Sequence, residues 1–286
     1  MLVILFDIHA WTGGGPGEMS SQPPQGLDVN DFIRHLCVFI RALGLQRDDL
    51  NMSVFLVDSS GDSPANVLLG STLHDCQGSD ANDTASKEVP GSNDVCDTLI
   101  ERLRDIIVDK QKSTTDSRAS APPWGSALVQ ALCHVKKHSI RQIEQNDVGV
   151  ESSRILCIAT SQDDSSKYLT FMNAVFASQR DGITIDCCHL GSKDSSLFQQ
   201  ACLLTGGLHM RPARPKSLLE YLMTAYIADE DVRKDLRYPS AQGIDFRASC
   251  FCHHTLIDMG YVCSVCLSVF CEKHSICLTC GSEFTI

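Results

Sequence analysis

The chain has 286 residues, and at that length about two domains are expected. Hydrophobic residues make up 43% and charged residues 21%, an ordinary balance for a soluble globular chain. With 24 Lys+Arg against 35 Asp+Glu the formal charge is -11, which argues against gripping nucleic acid by phosphate charge over the whole surface but leaves a local basic face open. No apolar run approaches the ~18 residues of a transmembrane helix. The opening Leu2-Val3-Ile4-Leu5-Phe6 has no basic segment before it and is cut by Asp7, so no signal peptide is expected.

In chain order, Leu2–Phe6 reads as a buried strand ending in Asp7. Residues 12–26, rich in Gly, Pro and Ser, read as a loop. A helix follows over Leu27–Leu43, with Phe32, Leu36, Phe39, Ile40 and Leu43 on one face; Asp28 or Asn30 caps it and Gly44 ends it. Met52–Val57 is a second strand. Residues 59–92 are mostly Ser, Asp, Asn and Gly and read as an acidic insertion too polar to pack. Helices are predicted over Val95–Val108, Trp124–Ile143, Leu169–Gln179, Leu197–Leu204 and Leu218–Ile227. Strands are predicted over Arg154–Ala159, Ile183–His189 and Leu208–Arg211. This alternation specifies an α/β fold, a parallel sheet with helices on both faces. It ends near residue 228, and the charged stretch 229–245 reads as a linker to a module over 246–286.

Cysteine usage separates these two parts. Of 15 cysteines, eight are scattered through the first 249 residues and seven lie between Cys250 and Cys280. Without a secretory signal, metal ligation explains the cluster better than disulfides. Cys263-Ser-Val-Cys266 and Cys277-Leu-Thr-Cys280 are two C-x-x-C knuckles, and together they supply the four thiolates of a tetrahedral zinc site. Cys250, Cys252 and His253 precede the first knuckle, and Cys271 and His274 lie between the two. This is the interleaved order of a RING-like cross-brace. One zinc, with the spare cysteines buried as small apolar groups, and two zincs both remain open. About 40 residues cannot build a sufficient apolar core, so metal must supply much of the folding energy. An all-thiolate shell leaves no open position for water, which argues for a structural site and against catalysis. Arg247 and Lys273 stand against Asp258, Glu272 and Glu283, so the module suits a protein contact better than DNA.

Elsewhere the sequence offers little chemistry. Asp7, Asp58 and Asp163 fall at or near strand carboxyl ends, where parallel sheets bind ligands. Gly13-Gly14-Gly15-Pro16-Gly17 lacks the register of a phosphate loop. Cys187-Cys188 read as packing residues, and His134, His189 and His209 as structural histidines. No nucleophile elbow is present. Trp11 and Trp124 lack the basic setting that base stacking needs.

Two runs carry a resemblance: Asp245-Phe-Arg-Ala-Ser-Cys-Phe-Cys-His and Gly260-Tyr-Val-Cys-Ser-Val-Cys-Leu-Ser-Val-Phe-Cys. With Leu2-Val-Ile-Leu-Phe-Asp, Gly125-Ser-Ala-Leu-Val-Gln-Ala-Leu-Cys, Tyr168-Leu-Thr-Phe-Met-Asn-Ala-Val-Phe-Ala-Ser-Gln and Gln199-Gln-Ala-Cys-Leu-Leu-Thr-Gly-Gly, they resemble the small von Willebrand A/zinc-finger subunits of the general transcription factor IIH core. The resemblance implies a von Willebrand A-like domain with a C-terminal zinc module, and a non-catalytic nuclear scaffold. Its implied partner is a larger subunit that also joins a von Willebrand A domain to a RING. It implies service to two helicases in promoter opening and nucleotide excision repair. Von Willebrand A domains place D-x-S-x-S after their first strand to hold a divalent ion; here the stretch is Asp7-Ile-His9-Ala-Trp11, without either serine, so an ion there is not expected. Competing readings are a RING-type ubiquitin ligase or other zinc-dependent interaction module, direct nucleic-acid binding by the module, and ion-dependent adhesion.

Overall fold

The computed structural model describes residues 1–12, 26–46, 51–58, 65–69, 96–104, 106, 122–144, 152–161, 163, 167–191, 194–238, 247–250, 252–253, 256–265, 268–278 and 280–283. The sheet starts from β1 (Leu2–Asp7), whose six residues are all buried. A short helix, α1 (His9–Thr12), leads toward α2 (Val29–Gln46), which delivers the chain to β2 (Met52–Val57). After β3 (Ala65–Leu69) and helix α3 (96–104) come α4 (Trp124–Glu144), β4 (Arg154–Ala159), α5 (Tyr168–Arg180), β5 (Thr184–His189), α6 (Ser196–Thr205) and β6 (His209–Met210). Helix α7 (Leu218–Tyr221) runs on into a wider π turn, Leu222–Tyr226, and α8 (Glu230–Asp235) follows. Among the described residues no helix is long and apolar enough to cross a membrane.

The sheet order is β3-β2-β1-β4-β5-β6. β1 pairs in parallel with β2 and β4, and β4, β5 and β6 continue in parallel; β3 alone runs antiparallel, along β2. Successive side chains of a strand point to opposite faces, and the two cores follow from that alternation. Val3 and Leu5 join the core under α4, α5 and α6, while Leu2, Ile4 and Phe6 join the core under α2, α3 and α7. Phe6, Phe32, Phe39, Phe55 and Phe171 are all buried, and each contributes about 1.5–3 kcal/mol by leaving water. Gly125 sets the spacing of α4 and α5, because a Cβ there would sit 2.7 Å from the backbone nitrogen of Phe171. Gly206, at φ 72°, closes α6 in the left-handed conformation that favours glycine.

Three boundaries differ from the sequence reading. Helix α2 passes through Gly44 to Gln46, because one exposed glycine costs only about 1 kcal/mol against a buried apolar stripe. Within the stretch read as an unpacked insertion, 65–69 forms the edge strand β3 and buries Ala65 and Leu68; one antiparallel partner holds so short an apolar run. The insertion residues 59–64 and 70–92 lie outside the described residues, as do 13–25 of the glycine-rich loop. Within the stretch read as a linker, 230–235 forms α8. Its Arg233 donates from both terminal nitrogens, at 2.8 Å each, to the buried carboxylate of Asp186 on β5.

Candidate metal centre

The C-terminal module is two small hairpins and a tail. β7 (Ala248–Ser249) pairs with β8 (Leu256–Ile257), and β9 (Tyr261–Val262) pairs with β10 (Val269–Phe270). The first hairpin carries Cys250, Cys252 and His253 in its loop. The second carries Cys263 directly after β9 and Cys271 directly after β10. Beyond it, Ile276 and Glu283 bridge around a turn holding Cys277 and Cys280, with Gly281 at φ 72°.

Folding gathers these donors into two groups. Cys263, Cys277 and Cys280 place their sulfurs within 4.8 Å of one another. Cys266, their fourth member in the sequence reading, lies outside the described residues. Cys250, Cys252, His253 and Cys271 form the second group, also within 4.8 Å. The Cys263 and Cys280 sulfurs are 3.8 Å apart, close to the ~3.7 Å edge of a tetrahedron with ~2.3 Å zinc–sulfur bonds. Soft sulfur and imidazole donors converging in this way fit a borderline-soft divalent cation, and zinc is the common one. The hydrogen bond with Cys252, then burial and the nearby charges of Cys252 and Cys250, push Cys271 up to about 11. A divalent cation inverts that preference. His274 stands outside both groups. Its ring packs edge-on against Phe270 with centroids 5.4 Å apart, and its Nε2 is buried without a hydrogen-bond partner.

Among the described residues the module buries little besides its donors: Phe270 packs with Cys263 and Cys277, and Cys252 packs against them. By contrast Met259, Tyr261, Val262, Val265, Ile276 and Leu278 are each at least half exposed. Exposed apolar side chains in such number on so small a body are, in general, a feature of interaction surfaces.

The carboxyl ends of β1 and β4, where an open α/β sheet binds ligands, are occupied differently. Asp7 is fully buried, and its carboxylate accepts from the backbone amides of Thr160 (2.8 Å) and Ser161 (3.2 Å), from the Ser161 hydroxyl (2.7 Å) and from the Thr160 hydroxyl. Protein donors therefore take up the oxygens that would face a cation. The Trp124 indole donates to Ser161 Oγ at 3.1 Å, and the small cleft beside it is lined by Asp163, Lys167 and Phe198. Asp163 accepts from the hydroxyls of Ser195 and Ser196 and from the Leu197 amide, tying the β4 loop to the start of α6. Asp58 is buried at the end of β2. Of the histidines read as structural, His134 pairs with Ser53 Oγ at 2.9 Å and His189 with the Ser161 carbonyl at 3.2 Å. Burial first, and then His189, push His209 down to about 4. Trp11 is fixed by a 3.0 Å bond to the Leu27 carbonyl. Cys157, Cys187 and Cys202 are buried, and burial drives their thiols upward, as inert packing groups require.

With both halves of the chain described, its relatives are informative. Residues 1–281 match the model of the family described as transcription factor Tfb4. The chain belongs to that family. A Tfb4 relative from Arabidopsis thaliana, "General transcription and DNA repair factor IIH subunit TFB4", is 34% identical over 90% of this chain and 83% of its own length. "General transcription factor IIH subunit 3" of Dictyostelium discoideum is 32% identical over 91% of this chain and 69% of its own. Among solved structures, the TFIIH p34 N-terminal domain matches with a TM-score of 0.60 at 22% identity, covering 78% of this chain and 95% of that one. The large domain of this Tfb4-family chain thus shares the fold of the TFIIH p34 N-terminal domain, a mostly parallel sheet with helices on both faces as the resemblance implied.

One group of buried residues, around Asp186, is not among the candidates read from the sequence. Asp186 also receives the Leu208 amide at 2.8 Å and lies 3.6 Å from Arg154 Nε. Arg154 in turn donates to the carbonyls of Tyr226 and Ala228. A lone Asp inside the strand Thr184-Ile-Asp-Cys-Cys-His was the available hint, since an unpaired buried carboxylate is costly.

Proposed function

We propose that this chain is a non-catalytic scaffold subunit of the general transcription and DNA repair factor IIH core, working in the nucleus. Its C-terminal module docks on the larger core subunit that also joins a von Willebrand A domain to a RING. Through that contact it supports the helicases used in RNA polymerase II promoter opening and nucleotide excision repair. The observation that carries this reading is the family match over 1–281, which takes in the domain and the module together. Cys263, Cys266, Cys277 and Cys280 hold one structural zinc. Its role is folding energy, of the order of 10–16 kcal/mol for sites of this kind, and the display of Val265 and Leu278 on the module surface. Among the described residues the two candidates for chemistry are occupied: the Asp7 oxygens are taken, and the buried thiols are held protonated.

The test is a tagged purification from nuclear extract at moderate salt, with co-purifying chains identified by mass spectrometry. Two helicases and a RING-bearing partner in fixed ratio are expected, and their loss is expected from Val265→Asp/Leu278→Asp. Recovery of the chain alone, or with ubiquitin-conjugating enzymes, would overturn the reading. A ubiquitin-chain assay then decides for the RING-type ligase.

A further inference from the structure

The second donor group belongs to no accounted-for function, and its setting is unlike that of the packing cysteines. Cys157, Cys187 and Cys202 lie in the deep core of the large domain, 1% exposed or less. In the second group only Cys250 is buried; Cys252 and Cys271 are half-buried and His253 is exposed. Burial of apolar surface therefore does not explain why they converge. The Cys252 and Cys271 sulfurs are 3.4 Å apart, and His253 Nδ1 is 3.1 Å from the Cys271 sulfur. The former separation is far beyond the ~2.05 Å of a disulfide. It approaches the edge of a metal tetrahedron instead.

The chain path supplies a second argument. The β7–β8 hairpin pairs two residues with two, and an isolated hairpin of that size does not hold in water. Among the described residues, the one that this hairpin adds to the module's small buried cluster is Cys252, which is half-buried. A link from its loop to Cys271, at the end of β10, would fasten the two hairpins together. Three donors from residues 250–253 and one from 271 form that link if a cation joins them.

We propose that Cys250, Cys252, His253 and Cys271 bind a second zinc ion, and that His274 is not among its ligands. Three thiols release their protons as the cation binds, and His253 coordinates as a neutral imidazole through Nδ1, the nitrogen that faces the sulfurs. The donors alternate along the chain: 250–253 to this site, 263 to the other, 271 to this one, 277 and 280 to the other. The two ions therefore cross-brace the module, with Phe270 wedged between them. The site requires no partner protein, so it stands or falls apart from the scaffold reading.

The test is metal content of the full-length chain after dialysis against metal-free buffer, measured by inductively coupled plasma mass spectrometry. Two zincs per chain are expected, falling to one in His253→Ala and staying at two in His274→Ala. One zinc in the unaltered chain, or a loss in His274→Ala equal to that in His253→Ala, would overturn the proposal. Because Cys271→Ser is prone to release both ions by unfolding the module, His253→Cys with cobalt as the probe provides a separate reading. Two cobalt ions should remain bound, and the visible d–d band should move to longer wavelength toward the all-thiolate position. An unmoved band means that residue 253 is not a ligand, and the assignment fails.

Discussion

Replacing Arg233 by alanine tests whether α8 is an integral part of the large domain. Asp186 is 0% exposed, and it is held by two 2.8 Å bonds from Arg233, one 2.8 Å bond from the Leu208 amide and a 3.6 Å approach of Arg154. Burial works to lower the Arg233 pKa, but the Asp186 carboxylate more than offsets it and the guanidinium is raised. For Arg154, burial outweighs the same carboxylate and the shift is downward. Arg233 is thus the principal counter-charge. Removing one partner of a buried pair costs about 3–5 kcal/mol, mainly by stranding the other charge. Arg154 and the Leu208 amide stay in place, so the low end, about 3 kcal/mol, is expected. For a domain of this size that lowers Tm by about 6–12 °C. The assay is thermal unfolding by far-UV circular dichroism at pH 7.5, with urea denaturation for the free energy. The cycle with Asp186→Asn should show strong coupling. A Tm shift below about 2 °C for Arg233→Ala would refute the argument and return α8 to the role of a linker.

Further outcomes follow from other sites. Cys277→Ser should remove zinc and unfold the module while leaving the large domain's Tm within about 2 °C, since the site's free energy folds only its own hairpins; zinc release and calorimetry check this. Gly125→Ala should destabilise by about 1–3 kcal/mol in urea, because the new methyl meets the α5 backbone rather than a movable side chain. Acid should weaken the fold through His209, whose native pKa of about 4 lies below the unfolded value near 6.5. Above pH 6.5 both states are neutral and nothing is lost. As pH falls from 6.5 toward 4 the unfolded chain binds a proton that the native one refuses, and about 3 kcal/mol is lost at most. His209→Gln should therefore lose about 2 kcal/mol less between pH 7.5 and 4.5 than the unaltered chain. Leu68→Asp should destabilise by at least about 2 kcal/mol by burying a charge on β3; an unchanged urea midpoint would show that β3 is not packed.

The fold was legible where pattern alone decides it. β1, β2 and β4 are short apolar runs because both of their faces are covered, and α2 and α4 carry plain 3.6-residue stripes. β3 escaped because Val67, Leu68 and Leu69 are only three apolar residues among polar neighbours; its edge position needs no more. α8 escaped because Glu230-Asp-Val-Arg-Lys-Asp reads as solvated charge, and one of those charges is turned inward to Asp186. No local pattern shows a residue 47 positions away waiting as a partner. At the candidate metal centre, the order of donors suggested two interleaved sets and left His274 undecided. Spacing cannot say that its ring lies against Phe270, because that is a contact between side chains.

The clamp on Asp186 has a consequence for where the module can travel. Arg233 fixes α8, and Tyr238 lies against the core with its hydroxyl 3.4 Å from the Ala225 carbonyl. From Tyr238 to Arg247 the chain can extend only about 30 Å. The module is therefore leashed to a fixed point by the amino ends of β4 and β5, away from the ends that carry Asp7 and Asp163. Whatever surface the large domain settles on, the module's first strand starts within that reach of the anchor. A partner that touches both parts has to offer its two sites within that span, and Arg233, by fixing α8, sets the point from which the span is measured.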